Sequence, residues 1–202
     1  VFKLYLCQTT GIYVAETYLF SLMNKIIAGT LMLGLTVLAA CGDKTSSPSS
    51  DPDTITFNDF EGSAGWNVDP TSLDKGRAHS GKWAAKVDKD HEFSLTFDMA
   101  LGQISPRKFK KVHMEAWAFM PAGNATGILG IQVMKPESTD QQYGDGLKLQ
   151  DVVKDYGKWV LVSKDFTLPD DITPAQHMRF SLWRADAGNF VLVDDVKLTI
   201  AD

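Results

Sequence analysis

From Thr54 onward the chain alternates short apolar runs with turn-forming residues, a rhythm that suits strands and not helices. The runs are Thr54–Phe57, Lys82–Val87, Glu92–Met99, Lys111–Met120, Gly127–Met134, Lys158–Leu168, His177–Ala185 and Phe190–Ile200. Between them stand Asp88-Lys89-Asp90, Pro121-Ala122-Gly123-Asn124, Pro169-Asp170-Asp171 and Asp186-Ala187-Gly188-Asn189, residue types that reverse the backbone. The one helical candidate, Leu147–Tyr156, is short and bounded by glycines. Short strands without a long helix predict an all-β domain over residues 54–202, an antiparallel β-sandwich of jelly-roll type.

Successive strand residues face opposite sides of a sheet, so parity predicts which face is core. Phe93, Leu95 and Phe97, Met114, Ala116 and Ala118, Ile131 and Val133, and Met178, Phe180 and Leu182 are expected inward. The opposite face then carries Ser94 and Thr96, Glu115 and Trp117, Gln132 and Met134, and Arg179, Ser181 and Trp183. On this reading Trp117 and Trp183 project from one sheet face among hydrogen-bonding side chains. Trp66, Trp83 and Trp159 stand at the starts of runs and are expected to pack.

Ahead of the domain, Met23–Cys41 has a short start with Lys25, an apolar segment Ile26–Val37, and then Leu38-Ala39-Ala40-Cys41. These are the n-region, h-region and small-residue cleavage site of a secretory signal, and the apolar segment is too short to span a bilayer. The tetrapeptide resembles the bacterial lipobox. That resemblance implies cleavage before Cys41, acylation of its sulfur with a palmitate-type chain, and membrane attachment through lipid. Residues 1–22 read as an upstream extension from an early start assignment, and 23–40 as the signal peptide. Residues 41–53 read as the lipidated cysteine and a polar Ser-, Pro- and Asp-rich tether. A flexible chain of that length reaches roughly 20 Å. Gly42 rather than aspartate after the cysteine favours the outer membrane of the bacterial envelope.

The full chain carries a formal charge of −5, and removing residues 1–40 takes away Lys3, Lys25 and Glu16, making it one unit more negative. A phosphate-backbone binder needs a basic stripe, so nucleic acid is not an expected partner. The one basic cluster, Arg107-Lys108-Phe109-Lys110-Lys111, reads as a solvated turn or strand edge, with lipid headgroups or an anionic polysaccharide as the weaker reading. With Cys7 in the extension and Cys41 lipidated, no thiol is left for a disulfide, a zinc site or a nucleophile.

Phe57-Asn58-Asp59-Phe60-Glu61 followed by Trp66, then Ala78-His79-Ser80-Gly81-Lys82-Trp83, Trp159 before Phe166-Thr167-Leu168-Pro169, and Phe190–Leu198 with Asp194-Asp195 resemble galactose-binding-like jelly rolls. Within that group they look most like the carbohydrate-binding modules of glycanases. The resemblance implies binding of a polysaccharide or oligosaccharide, either on a concave sheet face or in loops at one edge. The concave-face candidates are Trp117 and Trp183 as stacking platforms with Glu115, Gln132 and Arg179 as hydrogen-bonding groups. It also implies a structural calcium held by Glu61 and Asp194, with carbonyls around His79 and Lys82 completing the shell. The alternative from another class is a structural lipoprotein that docks an envelope protein partner.

An enzyme on a sandwich fold is the third reading, and the sequence lends it little. No paired-carboxylate strand motif, H-E-x-x-H site, G-x-S-x-G elbow or phosphate-binding glycine loop is present. His79, His91, His113 and His177 stand isolated, and Asp194-Asp195 are expected to point to opposite faces.

Overall fold

A computed structural model of the protein describes residues 51–202 apart from 63, 68 and 187, and all side chains in that range except that of Leu95. The expectations for residues 1–22, 23–40 and 41–50, including Cys41, lie outside the described residues, as does the expected inward side chain of Leu95. Among the described residues no helix is long and apolar enough to cross a membrane.

Among the described residues ten strands form two antiparallel sheets. They are β1 Thr54–Asn58, β2 Leu73–Lys75, β3 Trp83–Val87, β4 Phe93–Ala100, β5 Lys111–Phe119, β6 Ile128–Met134, β7 Gln141–Lys148, β8 Trp159–Thr167, β9 His177–Trp183 and β10 Val191–Ile200. One sheet, here called sheet A, runs β2-β3-β10-β5-β8 and also takes β1. Sheet B runs β4-β9-β6-β7. On one side of β10, β3 pairs with Val191–Val193 and β1 with Val196–Thr199, so the first and last described strands lie together. The antiparallel sandwich expected from the sequence is therefore the observed fold, and all eight runs are strands.

Between the sheets lies one apolar core. From β5 it takes Val112, Met114, Ala116 and Ala118, and from sheet B it takes Leu129, Ile131, Val133, Met178, Phe180 and Leu182. Trp66 stands among Phe60, Phe97 and Phe180 at centroid distances of 5.7–6.2 Å, and its Nε1–H donates to Thr56 Oγ1 at 2.9 Å. Removing a ring of this kind from water contributes about 3 kcal/mol, and the satisfied indole N–H avoids a desolvation penalty.

Two strands were not anticipated. β2 is three residues long, and β7 reads Gln-Gln-Tyr-Gly-Asp-Gly-Leu-Lys, an edge strand with no apolar alternation. The helical candidate reduces to one turn, Leu149–Val152, because Leu147 and Lys148 complete β7.

Parity is overturned wherever a strand bulges. β4 holds one more residue than β9 between the pairs Phe93–Trp183 and Thr96–Ser181. The shift turns Phe93 outward at 53% exposure and Ser94 inward, the reverse of the expectation, while Phe97 is buried as expected. An irregularity between Val133 and Met134 likewise buries Met134, which was expected outside.

The basic cluster meets acids of its own pole. Arg107 pairs with Asp53 at 3.2 Å and Lys110 with Asp170 at 2.7 Å, and Lys108 donates to the Asp170 carbonyl. The Asp202 carboxylate accepts from the backbone N–H groups of Lys110 and Lys111. Two of the cluster's four cationic side chains, Arg107 and Lys110, are thus ion-paired.

Candidate functional site

The five sugar-site candidates divide between the two sheets. Glu115 and Trp117 lie on β5 and face outward from sheet A, whereas Gln132 on β6 and Arg179 and Trp183 on β9 face outward from sheet B. The expectation that Trp117 and Trp183 share a face is therefore wrong. Strand parity assigns inside and outside, but it does not say which sheet a strand joins.

On sheet A the outer surface is already occupied by the protein itself. The His79 ring stacks on Trp117 with centroids 3.8 Å apart and planes within 12°, and it meets Trp159 edge-on at 5.9 Å. Trp159 continues to Phe119 and Phe119 to Phe190, over which the Arg77 guanidinium lies at 4.5 Å. Leu161, the cross-strand partner of Trp117, is 52% exposed beside this array. Glu115 lies 3.8 Å from His113 Nε2, and His113 Nδ1 lies 2.5 Å from Asp165 Oδ1.

His79 belongs to a strap, Arg77–Trp83, fastened to three carboxylates. Asp194 Oδ2 accepts from the N–H groups of His79 (2.7 Å) and Ser80 (3.1 Å). Asp195 accepts from Ser80 Oγ and contacts His79 Nδ1, each at 2.6 Å. Glu61 Oε1 accepts from the N–H groups of Lys82 and Trp83 at 2.6 and 2.8 Å. Gly81 is required here: its φ is +61°, and a Cβ would sit 2.4 Å from the Glu61 carboxyl. β10 bulges at this point with Asp195 at φ 49°, so both aspartates address the same strap rather than opposite faces. Burial pushes the Asp194 carboxyl up to about 7 and the neighbouring Asp195 adds to the rise, against the pull of the Ser80, Asp195 and His79 amides.

Glu61 and Asp194 thus converge on one turn. Among the described residues no lysine or arginine pairs with either of them or with Asp195, so the carboxylates suit a hard cation. The Lys82 carbonyl accepts from Gly76 N–H at 2.8 Å within the β2–β3 hairpin, which leaves one of its two lone pairs for a cation. No three His, Cys, Asp or Glu side chains converge as a metal group among the described residues, so a cation here would also need main-chain oxygens.

Sheet B presents a different outer surface, a trough lying across β9, β6 and β7. One cavity of about 450 Å³ is lined by Phe93, Trp183, Ile128, Gly130, Ser181, Gly144, Gly146, Gln132 and Gln141. A second, of about 550 Å³, continues past Arg179, His177 and Asp98 to the Lys135–Thr139 turn. At one end Phe93 stacks with Trp183 at 6.2 Å and 16°, and the indole N–H donates to Glu92 Oε1 at 3.2 Å. At the other, Asp98 accepts from Arg179 Nε and contacts His177 Nδ1, both at 2.6 Å. Small residues between the ends keep the floor low. The six steps from His177 to Trp183 span roughly 20 Å at the usual strand rise.

Sequence reasoning missed Phe93, Gln141, Asp98 and His177 in this trough. Phe93 was hidden by the bulge and Gln141 by the unrecognised edge strand. The pairing of His177 with Asp98 joins residues 79 positions apart. All four histidines contact an aspartate, and of these pairs only Asp88–His91 is close in sequence.

The fold is an antiparallel β-sandwich like that of solved carbohydrate-binding modules. Among solved structures it is similar to the tandem CBM22-1–CBM22-2 domain of Paenibacillus barcinonensis Xyn10C, with 18% identity over 73% of this chain and 50% of that one and a TM-score of 0.51. It is also similar to the CBM22-1–GH10 modules of Clostridium thermocellum xylanase 10B complexed with xylohexaose, with 14% identity, 74% of this chain, 28% of that one and a TM-score of 0.51. This chain therefore spans half of the first protein and little more than a quarter of the second. The CBM22-1 xylan-binding domain of Paenibacillus barcinonensis Xyn10C matches at 18% identity, 73% and 94% coverage and a TM-score of 0.48. No protein-family model and no curated protein matches the sequence.

Proposed function

We propose that the outer face of sheet B binds a neutral polysaccharide chain without cleaving it. The observation that carries this reading is the trough itself, with an aromatic pair, Phe93 and Trp183, at one end and a hydrogen-bonding group, Arg179 on Asp98, at the other. A pyranose ring has an apolar C–H face and a rim of hydroxyls, which an aromatic plane beside amides and a guanidinium complements. Asp98 compensates Arg179, so the trough does not select for anionic sugars. A cleft this long suits several linked residues rather than a chain end. A neighbour solved with xylohexaose makes xylan and β-glucan the first ligands to try. Affinity electrophoresis of the full chain through gels containing xylan, β-glucan, mannan or galactan tests the reading. Retardation by at least one is expected, and unchanged mobility in all four would refute it.

The lipobox and tether support display of this domain from the bacterial envelope through Cys41. Labelling with a palmitate analogue should mark the wild type and spare Cys41→Ser, and equal labelling of both would exclude the anchor. Glu61 and Asp194 are the side chains that would hold calcium, which when bound would supply positive charge beside the buried Asp194 carboxyl and its neighbour Asp195.

A second reading has its own observation, the aromatic array of sheet A with exposed Leu161 beside it, a surface suited to docking an envelope protein. It is favoured if no glycan retards the chain.

A further inference from the structure

Resting on the glycan-binding reading of the trough, we infer that Gln132 and Gln141 form a reader for a pair of equatorial hydroxyls on adjacent sugar carbons, and that Gly144 is the gap that lets it form. Gln132 faces out of β6, and its cross-strand partner on β7 is Gly144. The irregularity beside this pair lets the Gln141 side chain fold back over the glycine. A Cβ at Gly144 would stand 2.2 Å from Gln141 Nε2 and 2.7 Å from its Cδ. The Gln141 amide thus occupies the space that any other residue at 144 would fill.

Gln132 Nε2–H donates to Gln141 Oε1 at 2.6 Å, joining the two carboxamides edge to edge. The pairing leaves the Gln132 carbonyl oxygen as an acceptor and the Gln141 NH₂ as a donor, and neither has another protein partner among the described residues. Reversing both amides exchanges the roles and still presents one donor and one acceptor. Both side chains line the cavity that holds Trp183. Gln132 pairs with Arg179 and Ile128 with Trp183, four residues along the strand, so the reader lies roughly 13 Å from the aromatic end. It therefore addresses a different sugar residue from the one on the platform.

Each sugar hydroxyl both donates and accepts. Two equatorial hydroxyls on neighbouring carbons lie near the ring plane and meet a donor and an acceptor set side by side. An axial hydroxyl leaves that plane, so one amide group goes without its partner. Arg179 stands level with the pair but offers donors only, so the acceptor comes from the glutamines. A site built to hydrogen-bond a hydroxyl discriminates strongly against a ligand that misplaces it, since the site's own polar groups are then left unpaired.

The test is calorimetric titration of the full chain with xylohexaose, cellohexaose and mannohexaose, the last having an axial hydroxyl at C2. Wild type should bind the first two at least ~tenfold more tightly than the third. Gly144→Ala and Gln141→Ala should each bring that ratio close to one. Gly144→Ala should melt like wild type, because the backbone there is outside the left-handed region and only the end of a flexible side chain must move. Preference retained in both variants, or wild type that binds mannohexaose as tightly as the others, would overturn the inference and leave the trough reading standing. A wild type that binds none of the three overturns the inference. Failure of the trough reading is distinguished by Trp183→Ala having no effect on a glycan that does bind.

Discussion

Lys164 and Asp145 join the inner faces of the two sheets at their shared open edge, with Nζ 2.7 Å from Oδ1 and a second bond from Nζ to the Gly146 carbonyl at 2.9 Å. Lys164 pairs across β5 with Met114 and Asp145 across β6 with Ile131, so both side chains point toward the core from edge strands β8 and β7. Inward charges on edge strands also discourage pairing with other chains. Lys164→Met should destabilise by about 1 kcal/mol, since the pair is partly exposed but leaves a carboxylate and a carbonyl without their donor. Denaturant melts check this, and size-exclusion chromatography should show new self-association. A variant as stable and as monodisperse as wild type would contradict the role.

Asp88 governs the acid limb of stability. Burial tends to raise its pKa, but Lys86, His91 and the Asp90 amide outweigh it and bring the carboxyl down to about 2. A lowered folded pKa means that the stabilisation is complete above the unfolded value near 3.8 and is lost as pH falls toward 2. Stability should drop across that window by at most about 1.4 kcal/mol per pH unit from this group. Asp88→Asn should flatten the limb in thermal melts recorded from pH 5 to pH 2.

In metal-free protein Asp194 acts with the opposite sign. Its folded pKa, about 7, exceeds the unfolded 3.8, so the folded state binds the extra proton between those values and stability falls as pH rises through them. Calcium should reverse that trend by favouring the charged carboxylate. Melting temperature at pH 7.5 should rise on adding calcium to stripped protein, by the equivalent of about 2.7 kcal/mol at a hundredfold excess over Kd. Asp194→Ala should abolish the rise; an unchanged melt in the stripped wild type would discard the site.

The two half-exposed tryptophans should behave differently. Trp183→Ala removes the platform in the trough and should weaken glycan binding at least ~tenfold with little change in melting temperature. Trp117→Ala removes the surface on which His79 rests and should cost about 1 kcal/mol of stability while leaving affinity intact. Equal loss of binding in both would mean that glycan reaches sheet A as well.

Inside and outside were legible in the sequence along β5 and β9, where alternation is unbroken. They were not legible along β4, because a bulge adds one residue without changing any residue's character. β7 was invisible because Asp145 interrupts its core-facing Tyr143 and Leu147 and its outer side is mostly glycine. Glu61 and Asp194, paired from the sequence, both accept from amides of the Arg77–Trp83 strap, and those amides and the Gly76 bond depend on loop conformation. The division of Trp117 from Trp183 depends on strand order, which arises from contacts between residues far apart in the chain.

The extra residue in β4 lets Phe93 and Phe97, four positions apart and so of one parity, face opposite sides of sheet B. Were the strand regular from Thr96 back, Phe93 would turn into the core and Ser94 out of it. Loss of one residue between Phe93 and Thr96 would instead let the pairing with Trp183 and Ser181 run without a break and keep Phe93 beside Trp183. The aromatic shelf therefore rests on a single cross-strand pairing, which a deletion preserves and a straightened strand would lose.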